Sequence, residues 1–193
     1  MQIFPIWKTA MLGTFPTISA LRKTLIDGGY WSYIDEEDED REYEYRSARS
    51  LEEADEDEIL NELLARTPLA MQQTTVDLVR ATLPQLGFTG RVEDGRFLSG
   101  PSFREIAQRI WMSGHRLCPA EVGPQLRLQY PRQPLGEVMN VAVEPISVPS
   151  GGPHPNTYCV FHDSCGRFVG WKEMKYDELS PTDYWVFVKP RVP

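Results

Sequence analysis

The chain has 193 residues, 41% of them hydrophobic and 25% charged, which is enough apolar material for one globular core. Its longest apolar runs are only a few residues, far short of the roughly 20 that a membrane-crossing helix needs, and its three cysteines are too few for a disulfide framework. The formal charge of −8 is local: 14 of the 28 acids lie between Asp35 and Glu58 with three arginines, and outside that window 17 basic residues face 14 acids, a balance that gives no support to direct nucleic-acid binding.

The amino terminus, MQIFPIWKTAMLGTF, lacks a continuous apolar run and does not read as a secretory signal. With an odd number of thiols, this predicts a cytoplasmic protein. Ile6 to Leu12 is β-tolerant and ends at Gly13. Thr17 then offers an N-cap to a short helix with Ile18, Leu21, Leu25 and Ile26 on one face and Gly28-Gly29 as its stop. Residues 35–49 carry too much like charge to pack and read as a mobile acidic insertion in a single domain spanning 1–193. A helix follows from Ser50, where Ser50 and Glu53 form a capping box, to Pro68, with Ile59, Leu60, Leu63 and Leu64 as its stripe.

Residues 75–82 are rich in β-branched side chains and predict a strand. A small hairpin turns at Asp94-Gly95. Ser102 and Glu105 form a second capping box, opening a helix with Phe103, Ile106, Ala107, Ile110 and Trp111 on one face. Beyond Cys118 the alternation in QLRLQYP, EVMNVAVEPI, TYCVFH, RFVGW and YWVFVKP predicts strands. The fold class is therefore α+β, a mainly antiparallel C-terminal sheet with two or three amphipathic helices from the N-terminal half.

Three constellations could carry chemistry. Cys159, His162 and Cys165 spell C-x2-H-x2-C, and His115 with Cys118 adds two more zinc-type ligands. However, residues 163–166 suit a hairpin turn, which sets Cys159 roughly 13 Å or more from the tip, and strand alternation sends Cys159 and His162 to opposite faces. No metal and no cofactor are expected, and Cys165 becomes the accessible thiol. Cys118 precedes Pro119 and can cap a short helical turn that Gly123-Pro124 stops; a thiol at a helix start can have a lowered pKa, which makes Cys118 a candidate nucleophile and Glu121 a candidate general base. The acidic run lacks the glycine and the closing glutamate of an EF-hand loop, but through residues 35–58 it could meet a basic protein.

The segment Cys118 to Tyr130 has the form C-P-A-E-V-G-P-x-L-R-L-x-Y. It is followed by Q-P-x-G-E at Gln133 to Glu137, by Val143 to Ile146 in place of M-E-P-I, and by Trp185 to Val188 in place of F-V-F-V. This set resembles a bacterial family of uncharacterised proteins. The resemblance implies no activity; a shared site, if there is one, falls at Cys118, Glu121, Arg127 and Tyr130, with Glu121, Arg127 and Tyr130 as its binding residues. In that family the hairpin near residue 163 lacks the two cysteines and the acidic stretch is shorter, which weighs against zinc or acid-run chemistry as a shared function. The leading expectation is a non-enzymatic binding or regulatory domain without membrane or nucleic-acid partners. The alternative is a small enzyme working beside Cys118 to Tyr130.

Overall fold

The computed structural model describes residues 4–34, 45–47, 54–55, 57–151, 156–174 and 179–191. Its elements in chain order are β1 (Lys8–Leu12), α1 (Ile18–Asp27), β2 (Ser32–Ile34), β3 (Tyr45–Ser47), α2 (Glu58–Ala65), β4 (Thr74–Thr82), β5 (Val92–Glu93), β6 (Arg96–Phe97), α3 (Phe103–Met112), α4 (Val122–Gln129), β7 (Val138–Val141), β8 (Asn156–His162), β9 (Arg167–Glu173) and β10 (Tyr184–Lys189). The α+β class holds. Six strands form one sheet in the order β1-β4-β10-β7-β8-β9, antiparallel throughout except for the parallel pair β10-β7. The sheet is not C-terminal, because β1 and β4 from the N-terminal half supply one side of it.

Local signals set several boundaries. The Thr17 hydroxyl accepts from the Ala20 amide at the start of α1, and Ser102 with Glu105 forms the full capping box of α3. The β5-β6 hairpin turns through Asp94 and Gly95 with φ of 47° and 75°, the two positive values a type I′ turn requires. In the β8-β9 turn, the Asp163 carboxylate accepts from the amides of Cys165 and Gly166. α2 is capped by Asp57, whose carboxylate accepts from the Leu60 amide at 2.9 Å; the capping box read at Ser50 and Glu53 lies outside the described residues. Within the expected acidic insertion 35–49, residues 45–47 are strand β3, paired with β2, and the rest lies outside the described residues. Trp111 does not join the buried face of α3: it is 53% exposed.

The largest departure is α4. QLRLQYP reads as alternation, yet it lies in and just beyond a helix whose residues Val122 to Arg127 are all buried. Pro124 does not stop this helix, because its missing N–H falls in the first turn, where no intrahelical partner exists. Gly123 is there because Tyr158 packs on its backbone: a Cβ would lie 2.4 Å from the Tyr158 ring. Around α4 the sheet curls, so the helix touches edge strand β1 on one side and β8 and edge strand β9 on the other. Leu78, Met139, Val160, Val169 and Val186 on this sheet face meet Leu25 of α1, Leu60 and Leu63 of α2, and Val122 and Leu126 of α4. The opposite face packs Val79, Trp185 and Phe187 against Ile106 and Ile110 of α3. None of the described helices is long and apolar enough to cross a membrane.

His115 ends the α3 side of the core. It is buried edge-on between Phe4 and Phe187, and Nδ1 lies 2.9 Å from the Ser113 hydroxyl. Since that hydroxyl donates to the Ile110 carbonyl, Nδ1 carries the hydrogen. Burial pushes the imidazole pKa below its ordinary 6.5, so the folded state favours the neutral ring. Stability from this group is complete above pH 6.5 and is lost as pH falls toward the folded-state pKa. Urea midpoints measured between pH 7.5 and 5.5 should fall for the wild type and stay flatter in His115→Phe; equal slopes would remove His115 as the cause.

Candidate functional site

The four residues singled out by the C-P-A-E-V-G-P-x-L-R-L-x-Y block lie on α4 and the bend before it, and they face different partners. Cys118 sits in the core. Its amide donates to the Ala142 carbonyl at 2.7 Å, it bridges to Val143, and its thiol donates to the Val186 carbonyl at 3.4 Å. Burial therefore raises the Cys118 thiol pKa well above the ordinary value, opposite to the lowering a nucleophile needs. Nor does its position cap a helix: α4 begins at Val122, and Glu121 stands at its N-cap without a side-chain capping bond.

Glu121 is 1% exposed. Oε1 accepts from the Gly13 amide at 2.8 Å and from Gln125 Nε2 at 2.9 Å, while Oε2 accepts from the Ala70 amide at 2.7 Å. One carboxylate thus ties the turn after β1 to the segment before β4. It continues as a ladder along one line of α4. Gln125 donates to the Thr14 hydroxyl at 2.6 Å and accepts from Gln129 at 3.0 Å; Gln129 in turn accepts the Met11 amide at 2.9 Å and donates to the Met11 carbonyl at 2.7 Å. At Met11, a side-chain amide takes the place of a neighbouring strand on the open edge of β1. Gln125 and Gln129 were missed by the sequence reading. The i, i+4, i+8 spacing of Glu121, Gln125 and Gln129 was the available signal, once the segment is taken as a helix.

Arg127 lies on another side of α4 and is completely buried. Nη1 donates to Gln133 Oε1 and, at 3.5 Å, to the Phe161 carbonyl; Nη2 donates to the Tyr130 carbonyl, and the guanidinium lies 5.2 Å from the Tyr30 ring centre. Desolvation lowers its pKa to about 10, which leaves it charged at neutral pH. Gln133 relays the contact, donating to the carbonyls of Glu137 at 2.9 Å and Val160 at 3.0 Å. Tyr130 meets Arg127 through its backbone, and its ring belongs to a second cluster. There the ring stands edge-on to Trp7 at 5.0 Å, and burial, followed by the nearby Glu137, raises its phenol pKa. Arg80 completes this cluster, 2.5 Å from Glu137 and held over the Trp7 and Tyr184 rings at 4.9 and 4.3 Å.

The zinc-like ligands diverge. Cys159 packs with Phe161 and Phe168, His162 Nδ1 donates to the Gln133 carbonyl at 2.7 Å, and Cys165 is exposed at the hairpin tip. Among the described residues no group of three His, Cys, Asp or Glu side chains could hold a metal. A cleft of about 480 Å³, half polar and half apolar, opens between α1 and α2, lined by Ile18, Arg22, Asp55, Glu58, Glu62 and Ser150 among others. Arg22 is engaged there by Asp55 at 2.6 Å and Asn61 at 2.8 Å. No family model, curated protein or solved structure matches the chain.

The thiols rank by burial. Iodoacetamide on the native protein at pH 7.5 should modify Cys165 alone, with Cys118 and Cys159 reacting only after unfolding. Labelling of native Cys118 at a rate like that of Cys165 would restore the nucleophile reading.

Proposed function

We propose that the chain is a non-enzymatic cytoplasmic binding domain that presents an acidic surface to a basic partner protein. The observation that carries this reading is the α1-α2 cleft, where Asp55, Glu58 and Glu62 line the wall. Arg22 is tied to Asp55, while among the described residues Glu58 and Glu62 accept only from the neutral hydroxyl and amide of Ser150 and keep their charge facing the cleft. In sequence this wall continues the acidic window 35–58, so both contribute one sign of charge to encounter with a cationic surface. The polar residues of the Cys118 to Tyr130 segment favour the same reading from the other direction. Glu121 and Arg127 direct their hydrogen bonds to backbone groups and glutamines inside the fold, which makes the segment a framework and leaves recognition to the surface. The resemblance to a bacterial family then stands for a shared framework.

A fluorescein-labelled octa-arginine peptide should bind the wild type with an affinity that falls by about tenfold or more between 50 and 200 mM NaCl. Glu58→Gln with Glu62→Gln should weaken binding several-fold. So should replacement of residues 35–44 by Asn-Gly, a turn short enough to keep Ile34 opposite Tyr45. Binding that neither variant alters would discard the acidic surface as the contact.

A further inference from the structure

On the far side of the sheet, α3 turns two stripes to solvent, Arg104, Gln108 and Trp111 along one and Glu105, Arg109 and Met112 along the next. Trp111 is 53% exposed and Met112 69%. Neither caps an element nor fills the core, and single exposed apolar residues are common. The surroundings of Arg109 set this place apart. Its guanidinium lies over the Phe88 ring at 5.4 Å and beside the Gly87 turn, where an added Cβ would come within 3.7 Å of Nη1. A cleft of about 260 Å³ opens on one flank, lined by Phe4, Leu86, Met112 and Ser113, and a second of about 220 Å³ on the other, lined by Phe88, Glu105, Gln108 and Met112. Arg109 and Met112 form the ridge between them.

The charge of this ridge is unbalanced. Two arginines, Arg104 and Arg109, stand against one acid, Glu105, whose carboxylate keeps its charge while it accepts from the Ser102 amide at 2.8 Å and hydroxyl at 2.7 Å. Among the described residues no carboxylate pairs with Arg104 or Arg109. An arginine whose face is stacked on an aromatic ring loses little freedom when its N–H fork meets a carboxylate. Tryptophan, methionine and arginine are also the residue types that concentrate at protein interfaces and carry their energy.

We infer that the α3 face is a docking surface for an acidic peptide segment of another protein, its carboxylate on Arg109 and an apolar side chain in each flanking cleft. Charge complementarity selects the occupant: a basic segment would face two arginines, Arg104 and Arg109, with only Glu105 between them to offset the repulsion. This surface lies across the sheet from the acidic cleft, so each can be disabled without the other.

The test uses the full chain and the labelled probe peptide acetyl-EEFEELEE-amide at low salt, read by fluorescence anisotropy. Saturable binding on the order of 100 µM is the expected result, weakened about tenfold or more by Arg109→Glu. Met112→Ser should weaken binding without changing its salt dependence, and Lys23→Glu, on α1, should leave it unchanged. All three positions are at the surface, so folding is retained. Absence of saturation at about 1 mM, equal affinity for the Arg109→Glu variant, or binding of acetyl-KKFKKLKK-amide that Arg109→Glu strengthens no more than Lys23→Glu does would overturn the proposal. Sedimentation velocity covers the remaining occupant: self-association of the wild type that Arg109→Glu abolishes would make the surface a contact between copies and overturn the foreign-peptide reading.

Discussion

A helix closed in by both edges of a curled sheet has little water-facing surface on which to leave polar groups: Val122 to Arg127 are buried, and α4 with the residue before it carries Glu121, Gln125 and Arg127 into that enclosure. Each buried polar atom left without a partner costs on the order of 1 to 3 kcal/mol, so most polar atoms of these side chains must find partners, and among them only Arg127 Nε has none. Glu121 finds two backbone amides, from Gly13 and Ala70. Those amides come from chain segments 108 and 51 residues away in sequence. The bonds therefore fix where the β1 turn and the approach to β4 lie relative to the helix, and with them the two strands that form one side of the sheet.

This constraint changes what the most distinctive stretch of sequence means. A cysteine, a glutamate, an arginine and a tyrosine within thirteen residues suggest a reaction centre when read along the chain. Folded, they point to separate places: Cys118 toward β10, Glu121 toward the first turn, Arg127 toward Gln133, and Tyr130 toward Trp7 and Glu137. Arg127 illustrates the energetic logic. A buried guanidinium tolerates its desolvation because carbonyls, a glutamine oxygen and an aromatic ring surround it. With the interior so occupied, charged side chains left to solvent lie beside α2, where Asp55, Glu58 and Glu62 line a cleft, and along α3, where Arg104 and Arg109 are exposed.

The parts of this architecture that were legible in the sequence are those decided locally. Thr17, Ser102 with Glu105, Asp94-Gly95 and the turn at 163–166 act within three or four residues, and each appears where the spacing indicates. α4 was misread because Leu126 and Leu128 alternate as in a strand and Gly123-Pro124 resembles a stop. The helix wins through contacts that spacing cannot encode: Tyr158 against Gly123, and the edge of β1 against Gln129. Likewise, β1 and β4 joined a sheet expected to be C-terminal because β4 pairs with β10 over six residues at long sequence separation. At the candidate site, the residue types were visible and their partners were not, since Gly13 and Ala70 contribute only backbone.

The central claim is that the Glu121 carboxylate holds these two distant segments in place, and native-state hydrogen exchange reads it at the Gly13 and Ala70 amides. In the wild type both should exchange as slowly as buried core amides. In Glu121→Gln, where an NH2 group replaces one acceptor, at least one should exchange faster by about tenfold or more while the amides of β8 and β9 keep their order. Rapid exchange at both amides in the wild type, or no change in the variant, would contradict the account.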